Sequence, residues 1–322
     1  MNSLAAMADA ASAGLCPQQP TAQPAAADEC PLVFGCQGET LFGMLHRAAD
    51  VQVVPAAIGI VVVVGGPQYR VGSHRQFISL ARTLAAAGYP VLRFDVRGMG
   101  DSSGNLHDFR SINPDIEAAI DALQRHEPGV RQLVLWGLCD GASAALLYLH
   151  DRADPRISGL CLVNPWVRSE ASLARTQLKH YYTKRLLQRD FWHKLMGGGV
   201  GLAALRDLAV NARRARAAAS SAVGLELPFQ TRMARAWRDF EGSILLLLSS
   251  DDYTAREFDE YTSRDPSWDD ALERHPACRQ DLIGADHTLS DAVSRIEADG
   301  HLLSWLAKLP SSTAVSIKEL PP

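Results

Sequence analysis

The sequence predicts an α/β protein with a doubly wound, mostly parallel sheet and one helical lid insertion. Three observations carry this. Continuous apolar runs without alternation recur, as in IGIVVVVGG (58–66) and ILLLLSS (244–250), and suit strands buried on both faces. Stretches of helical periodicity separate these runs, which is the pattern of a layered α/β sheet. One stretch of about 75 residues breaks the alternation and holds no strand candidate. With 322 residues, 47% of them hydrophobic and 21% charged, the composition is that of an ordinary globular protein and excludes disorder of the whole chain.

Residues 1–29 are rich in Ala, Pro and Gln and contain no Lys or Arg, so a disordered leader is expected there and not a signal peptide. PLVFGCQGETLFGMLHRA then reads as two short strands about a turn at Gln37 and Gly38, an antiparallel hairpin. The run 58–66 is the first buried strand. SHRQFISLARTLAAAG (73–88) has helical spacing, with Ser at its start and Gly at its end. YPVLRFDVRGMGDSSG is a second strand running into a Gly-rich loop, whose Arg97 and Asp101 are assigned no catalytic role, and INPDIEAAIDALQRHEPG is a helix. RQLVLWGLCDGASAALLYLHDRA and ISGLCLVNPW add strand, helix and strand. GSILLLLSSDDYTAREF, CRQDLIGADHTLS and AVSRIEADGHLLSWLAKL close the sheet. The expected organisation is therefore a core of 30–165 and 241–310, an insertion at 166–240 and a tail at 311–322.

The insertion has its own charge. From Arg168 to Arg238 there are 14 Lys or Arg and 4 Asp or Glu, about +10, whereas the chain as a whole carries -4 and the remainder about -14. Amphipathic helices with solvated cations are one account of it. The other is a lid in which Lys184, Arg185, Tyr182 and Trp192 receive an anionic substrate or meet an acidic membrane surface. The small net charge gives no pointer to nucleic acid. Six scattered cysteines with no CxxC pair and no zinc-type spacing argue against a structural metal and for a reducing compartment. No apolar run approaches the roughly 20 residues of a membrane span. A cytoplasmic protein needing no metal or organic cofactor is expected.

The chemistry concentrates at LVLWGLCDGAS (133–143). A Gly-x-nucleophile-x-Gly turn between a buried strand and a helix puts its middle residue, Cys139, at the tip of a tight bend, and Gly137 and Gly141 supply the missing bulk. The helix that follows aims its N–H groups at that tip, which favours a thiolate and an oxyanion beside it. Partners belong later in the chain. LLLLSSDD ends a strand with Asp251 and Asp252, the second preferred because it lies deeper in the loop, and IGADHTLS places His287 beyond the last strand. Asp286 beside it is a candidate cap for the next helix. Oxyanion donors are expected from the N–H of Asp140 and from the GGPQYRVGSH loop. Pro67 has no N–H to give, so Gln68 is preferred over Gly66.

The order Cys139, Asp252, His287, with FDVRGMGDSSG, GLCDGAS and GADHT, resembles the α/β-hydrolase superfamily from about residue 31 to 309. More narrowly, GGPQYRVGSHRQF, RFDVRGMGDSSG, WGLCDGAS, NPWVRSEAS and DDYTAREF resemble the exosortase A system-associated hydrolase 1 family, proteins of bacterial exopolysaccharide and protein-sorting gene clusters that carry the same cysteine elbow. The elbow is also similar to those of polyhydroxyalkanoate synthases and dienelactone hydrolases. The expectation is a cysteine-dependent hydrolase of a small-molecule or lipid-linked ester or thioester. An acyltransferase to a carbohydrate or other alcohol is the first alternative. A non-catalytic partner-binding protein is the second.

Overall fold

The computed structural model describes residues 28–49, 58–66, 68–168 and 227–310. Among the described residues eight strands form one sheet in the order β1-β2-β4-β3-β5-β6-β7-β8. The hairpin of β1 (Glu29–Cys36) and β2 (Glu39–His46) turns at Gln37 and Gly38 and joins β4 (Val91–Phe94) antiparallel. The remaining pairs are parallel: β3 (Ile58–Val63), β5 (Gln132–Leu138), β6 (Ile157–Val163), β7 (Ser243–Ser249) and β8 (Cys278–Leu282). This is the doubly wound sheet that the apolar runs predict.

The runs lack alternation because both faces are covered. Val61, Val63, Leu133, Leu135, Leu160 and Leu162 enter one core, while Ile60, Val62, Val134, Trp136, Cys161 and Val163 enter the other. Successive side chains point to opposite faces, and each finds helices there. α1 (Gln76–Ala86) and the final helix cover one side, where Phe77, Leu84, Leu302 and Trp305 are buried. α2 (Asn113–His126) and α3 (Asp140–Arg152) cover the other.

Four more helices complete the described part. α4 (Phe229–Asp239) packs on α3 and on α6 (Pro266–Arg274), so residues 229–239 of the basic segment belong to the body of the protein. α5 (Tyr253–Thr262) follows β7, and α7 (Ala292–Leu306) follows β8. Lys184, Arg185, Tyr182 and Trp192, with the rest of 169–226, lie outside the described residues. So do most of the leader and the tail. Among the described residues no helix is long and apolar enough to cross a membrane.

Trp237 of α4, Phe258 of α5 and Trp268 of α6 form a buried aromatic cluster with ring centroids 5.5 to 6.4 Å apart, and the Trp237 indole N–H donates to the His275 carbonyl at 2.9 Å. The cluster anchors the helix that begins at the acid loop. Trp237→Ala is expected to cost about 3–5 kcal/mol, the range for removing a buried large aromatic side chain. A lower urea midpoint with an unchanged slope is the expected sign.

Candidate active site

The site lies at the C-terminal ends of the parallel strands. Between β5 and α3 the backbone of Cys139 adopts φ 60°, ψ -124°, a conformation costly for any residue with a Cβ. The turn is tight because of its neighbours. A Cβ on Gly137 would fall 2.5 Å from the Ala142 nitrogen, and one on Gly141 would run into the Val63 carbonyl. The Cys139 N–H donates to the Val163 carbonyl at 2.9 Å, and its carbonyl accepts from Ala142 at 3.1 Å and Trp166 at 3.2 Å. The bend is thus held from β6, from Trp166 just beyond it and from α3.

The structure brings His287 and Asp252 together. His287 Nδ1 lies 2.8 Å from Asp252 Oδ2. Asp252 is buried and also caps α5, accepting from the N–H groups of Thr254 at 3.1 Å and Ala255 at 3.2 Å. Burial works to raise its pKa, but the bond from His287 and those N–H groups outweigh it, and the carboxyl lies below the usual range. Asp251 stands apart, with its side chain 65% exposed and 3.9 Å from Arg256. The acid that meets the imidazole is therefore Asp252. On the imidazole, the bond to Asp252 and then a bond to Cys139 favour the charged form, and together they push the His287 pKa up to about 10. The same loop holds Asp286, which does not cap the following helix. It accepts from the N–H groups of Thr288 and Ser290 and ties the histidine loop, while Asp291 caps α7 through the Ser294 N–H. The shorter path decides this, since Asp291 directly precedes the first helical residue.

A cavity of about 280 Å³ opens beside Cys139, lined by Gln68, Phe77, Leu138, Asp140, Trp166 and His287 among others. Asp140 contributes more than its N–H. Its carboxylate accepts the Gly66 N–H at 2.7 Å, and burial raises its pKa. Gly66 is thereby committed. The loop that carries Gln68 is held further along by Arg70, whose N–H donates to the buried Asp95 carboxylate at 2.6 Å and whose guanidinium bonds Asp95 and Asp101. Arg97 pairs with the buried Asp115 at 2.8 Å. Arg97 and Asp101 thus hold loops in place and do not enter the cavity lining.

A family model described as serine aminopeptidase, S33, matches residues 56–305. The chain belongs to this S33 family. Its fold is that of α/β hydrolases. Similar solved structures include the Pyrococcus furiosus esterase Pf2001, with a TM-score of 0.56 and 15% identity over 88% of this chain and 94% of that one. An α/β serine hydrolase homologue from Coxiella burnetii gives 0.54 and 14% over 86% and 97%. Est1E from Butyrivibrio proteoclasticus, solved with ferulic acid bound, gives 0.54 and 13% over 86% and 100%. No curated protein matches the chain.

The matched family model is described by a serine, and this chain carries Cys139 in the tight turn between β5 and α3. Among the described residues no group of three or more His, Cys, Asp or Glu is placed to hold a metal. Residues that sequence reasoning missed are Trp166 and Phe77 in the cavity lining and Arg70 behind the Gln68 loop. NPW directly after an apolar strand was the available signal for Trp166. Nothing in the sequence pairs Arg70 with Asp95.

The folded-state pKa of His287 lies above the ordinary value near 6.5, so the ring stays charged until the pH rises towards about 10. NMR titration should follow a His287 imidazole that titrates far above neutrality. Asp252→Asn removes the largest cause and should bring the midpoint down towards 6.5, while Asp251→Asn should leave it in place. A midpoint moved by Asp251→Asn and unmoved by Asp252→Asn would reassign the acid.

Proposed function

We propose that the protein is a cysteine-dependent hydrolase that cleaves an ester or thioester through an acyl-cysteine intermediate. The observation that carries this is the arrangement at the elbow: Cys139 on its strained bend lines one cavity with His287, and His287 is bonded to Asp252 at 2.8 Å.

The chemistry follows from these positions. The proton shared between Cys139 and His287 rests on the imidazole, whose charged form is favoured there, and the Cys139 sulfur attacks the substrate carbonyl carbon. The oxyanion that forms is received by the Asp140 N–H at the start of α3 and by the Gln68 N–H, once the Asp140 carboxylate that accepts the Gly66 N–H makes room for it. When the oxyanion collapses, the bond to the leaving alcohol or thiol breaks and the leaving group takes the proton from His287. Water then gives a proton to His287 and adds to the thioester carbonyl, the C–S bond breaks to release the acid, and the Cys139 sulfur is left beside the charged imidazole. Asp252 keeps Nδ1 of His287 bonded throughout, which leaves Nε2 to exchange protons with sulfur and water.

Esterase activity among similar folds and the α/β-hydrolase family support hydrolysis as the reaction class. The resemblance of NPWVRSEAS, WGLCDGAS and DDYTAREF to exosortase-associated hydrolases supports a role beside exopolysaccharide or protein-sorting enzymes.

Cys139→Ala should fold and lose activity on p-nitrophenyl butyrate and on a butyryl thioester by on the order of 10⁴-fold or more. Cys139→Ser should retain only weak activity, because a hydroxyl needs a stronger base arrangement than a thiol. Cys139→Gly should be as inactive as the alanine variant yet more stable than wild type by about 1–3 kcal/mol, since the bend no longer strains a Cβ. Near-wild-type turnover by Cys139→Ala would remove the nucleophile assignment.

A further inference from the structure

The end of β6 carries a buried polar residue that the proposed chemistry does not use directly. Asn164 has no solvent exposure, and its backbone sits in the left-handed region at φ 46°. Its Oδ1 accepts the Ser249 N–H at 2.8 Å. That donor settles which end of the amide is oxygen, so Nδ2 is free to donate to the Ser249 hydroxyl at 3.0 Å and to the His287 carbonyl at 3.3 Å. The Asn164 N–H itself donates to the Leu247 carbonyl at 3.0 Å.

Its chain neighbours hold the nucleophile. The Val163 carbonyl accepts the Cys139 N–H, and the Trp166 N–H donates to the Cys139 carbonyl. Ser249, the last residue of β7, accepts the Asp252 N–H through its carbonyl at 3.3 Å. One short stretch, 163–166, therefore touches the elbow, the acid loop and the histidine loop.

We propose that Asn164 is a positioning residue that fixes the histidine and acid loops relative to the cysteine elbow. The assignment rests on Cys139, His287 and Asp252 acting together. Residue chemistry narrows the choice at this position. Glycine takes a left-handed backbone without strain but offers no amide, and aspartate accepts from Ser249 but cannot donate to His287. Asparagine tolerates the backbone better than most residues with a Cβ and supplies donor and acceptor from one planar group. A residue serving only the core would not need a bond to the carbonyl of the base.

The test uses the full chain with p-nitrophenyl butyrate, comparing wild type, Asn164→Gly and Asn164→Asp. Glycine relieves the backbone, so its folding is the safer of the two, and a thermal midpoint is measured for each. Asn164→Gly is expected to keep KM within about twofold and to lower kcat on the order of a hundredfold, the scale of a small misplacement of reacting groups. The alkaline limb of kcat/KM, set in wild type by the imidazolium of His287 near about 10, should move down towards 6.5 as the bond to Asp252 loosens. Asn164→Asp should lower kcat in the same direction, while its added carboxylate works to keep the limb up. A lowered thermal midpoint with wild-type kcat and an unmoved limb would overturn the proposal, because the amide would then be structural only. Wild type that turns over the ester without a butyryl adduct on Cys139 would overturn the reaction reading and this assignment with it. The two failures are distinguishable, since only the second is seen in the wild-type protein.

Discussion

The molecule is organised around the bend at Cys139. Holding a residue with a side chain at φ 60°, ψ -124° costs about 1–3 kcal/mol, and the surrounding structure must over-determine it. It does so from three directions. Gly137 and Gly141 let β5 and α3 close on their neighbours, Val163 and Trp166 bond the backbone of the bend from β6, and Ser143 of α3 donates its hydroxyl to the Trp166 carbonyl at 2.6 Å. The sulfur is left at the tip with the N-terminus of a helix behind it. Nothing in this geometry depends on oxygen at that position.

Asp252 shows how one carboxylate meets two demands. It caps α5, satisfying N–H groups that a helix start leaves without partners, and it orients His287. The two roles reinforce each other. The cap fixes the carboxylate and favours its charge, and the fixed charge favours the imidazolium. The aromatic cluster of Trp237, Phe258 and Trp268 beneath α5 keeps that cap where β7 delivers it. Packing, capping and proton affinity are here one chain of causes.

Much of this was legible in the sequence. Buried parallel strands leave continuous apolar runs, and the glycines about Cys139, the acid after β7 and the histidine after β8 stand in a fixed order along the chain. Other parts were hidden for physical reasons. The helices α5 and α6 start at Asp252 and at Asp265 followed by Pro266, good caps both, but they are short and their apolar residues are few. Asp286 is a poorer cap candidate than Asp291, which stands directly before the helix AVSRIEADG and does cap it. Asn164 reads as an ordinary polar residue after a strand, and its importance lies in contacts with Ser249 and His287, far away in the chain. The commitment of Gly66 to the Asp140 carboxylate is likewise a tertiary fact.

The central claim is that the sulfur of Cys139 becomes acylated during turnover. Acid quenching of the wild-type protein within its first turnovers of a butyryl thioester, followed by intact-mass measurement and peptide mapping, tests it most directly. The account predicts one added butyryl group, carried by the peptide containing Cys139 and released by hydroxylamine. Steady turnover of the thioester with no covalent adduct at any time, or with the adduct on another residue, would contradict it.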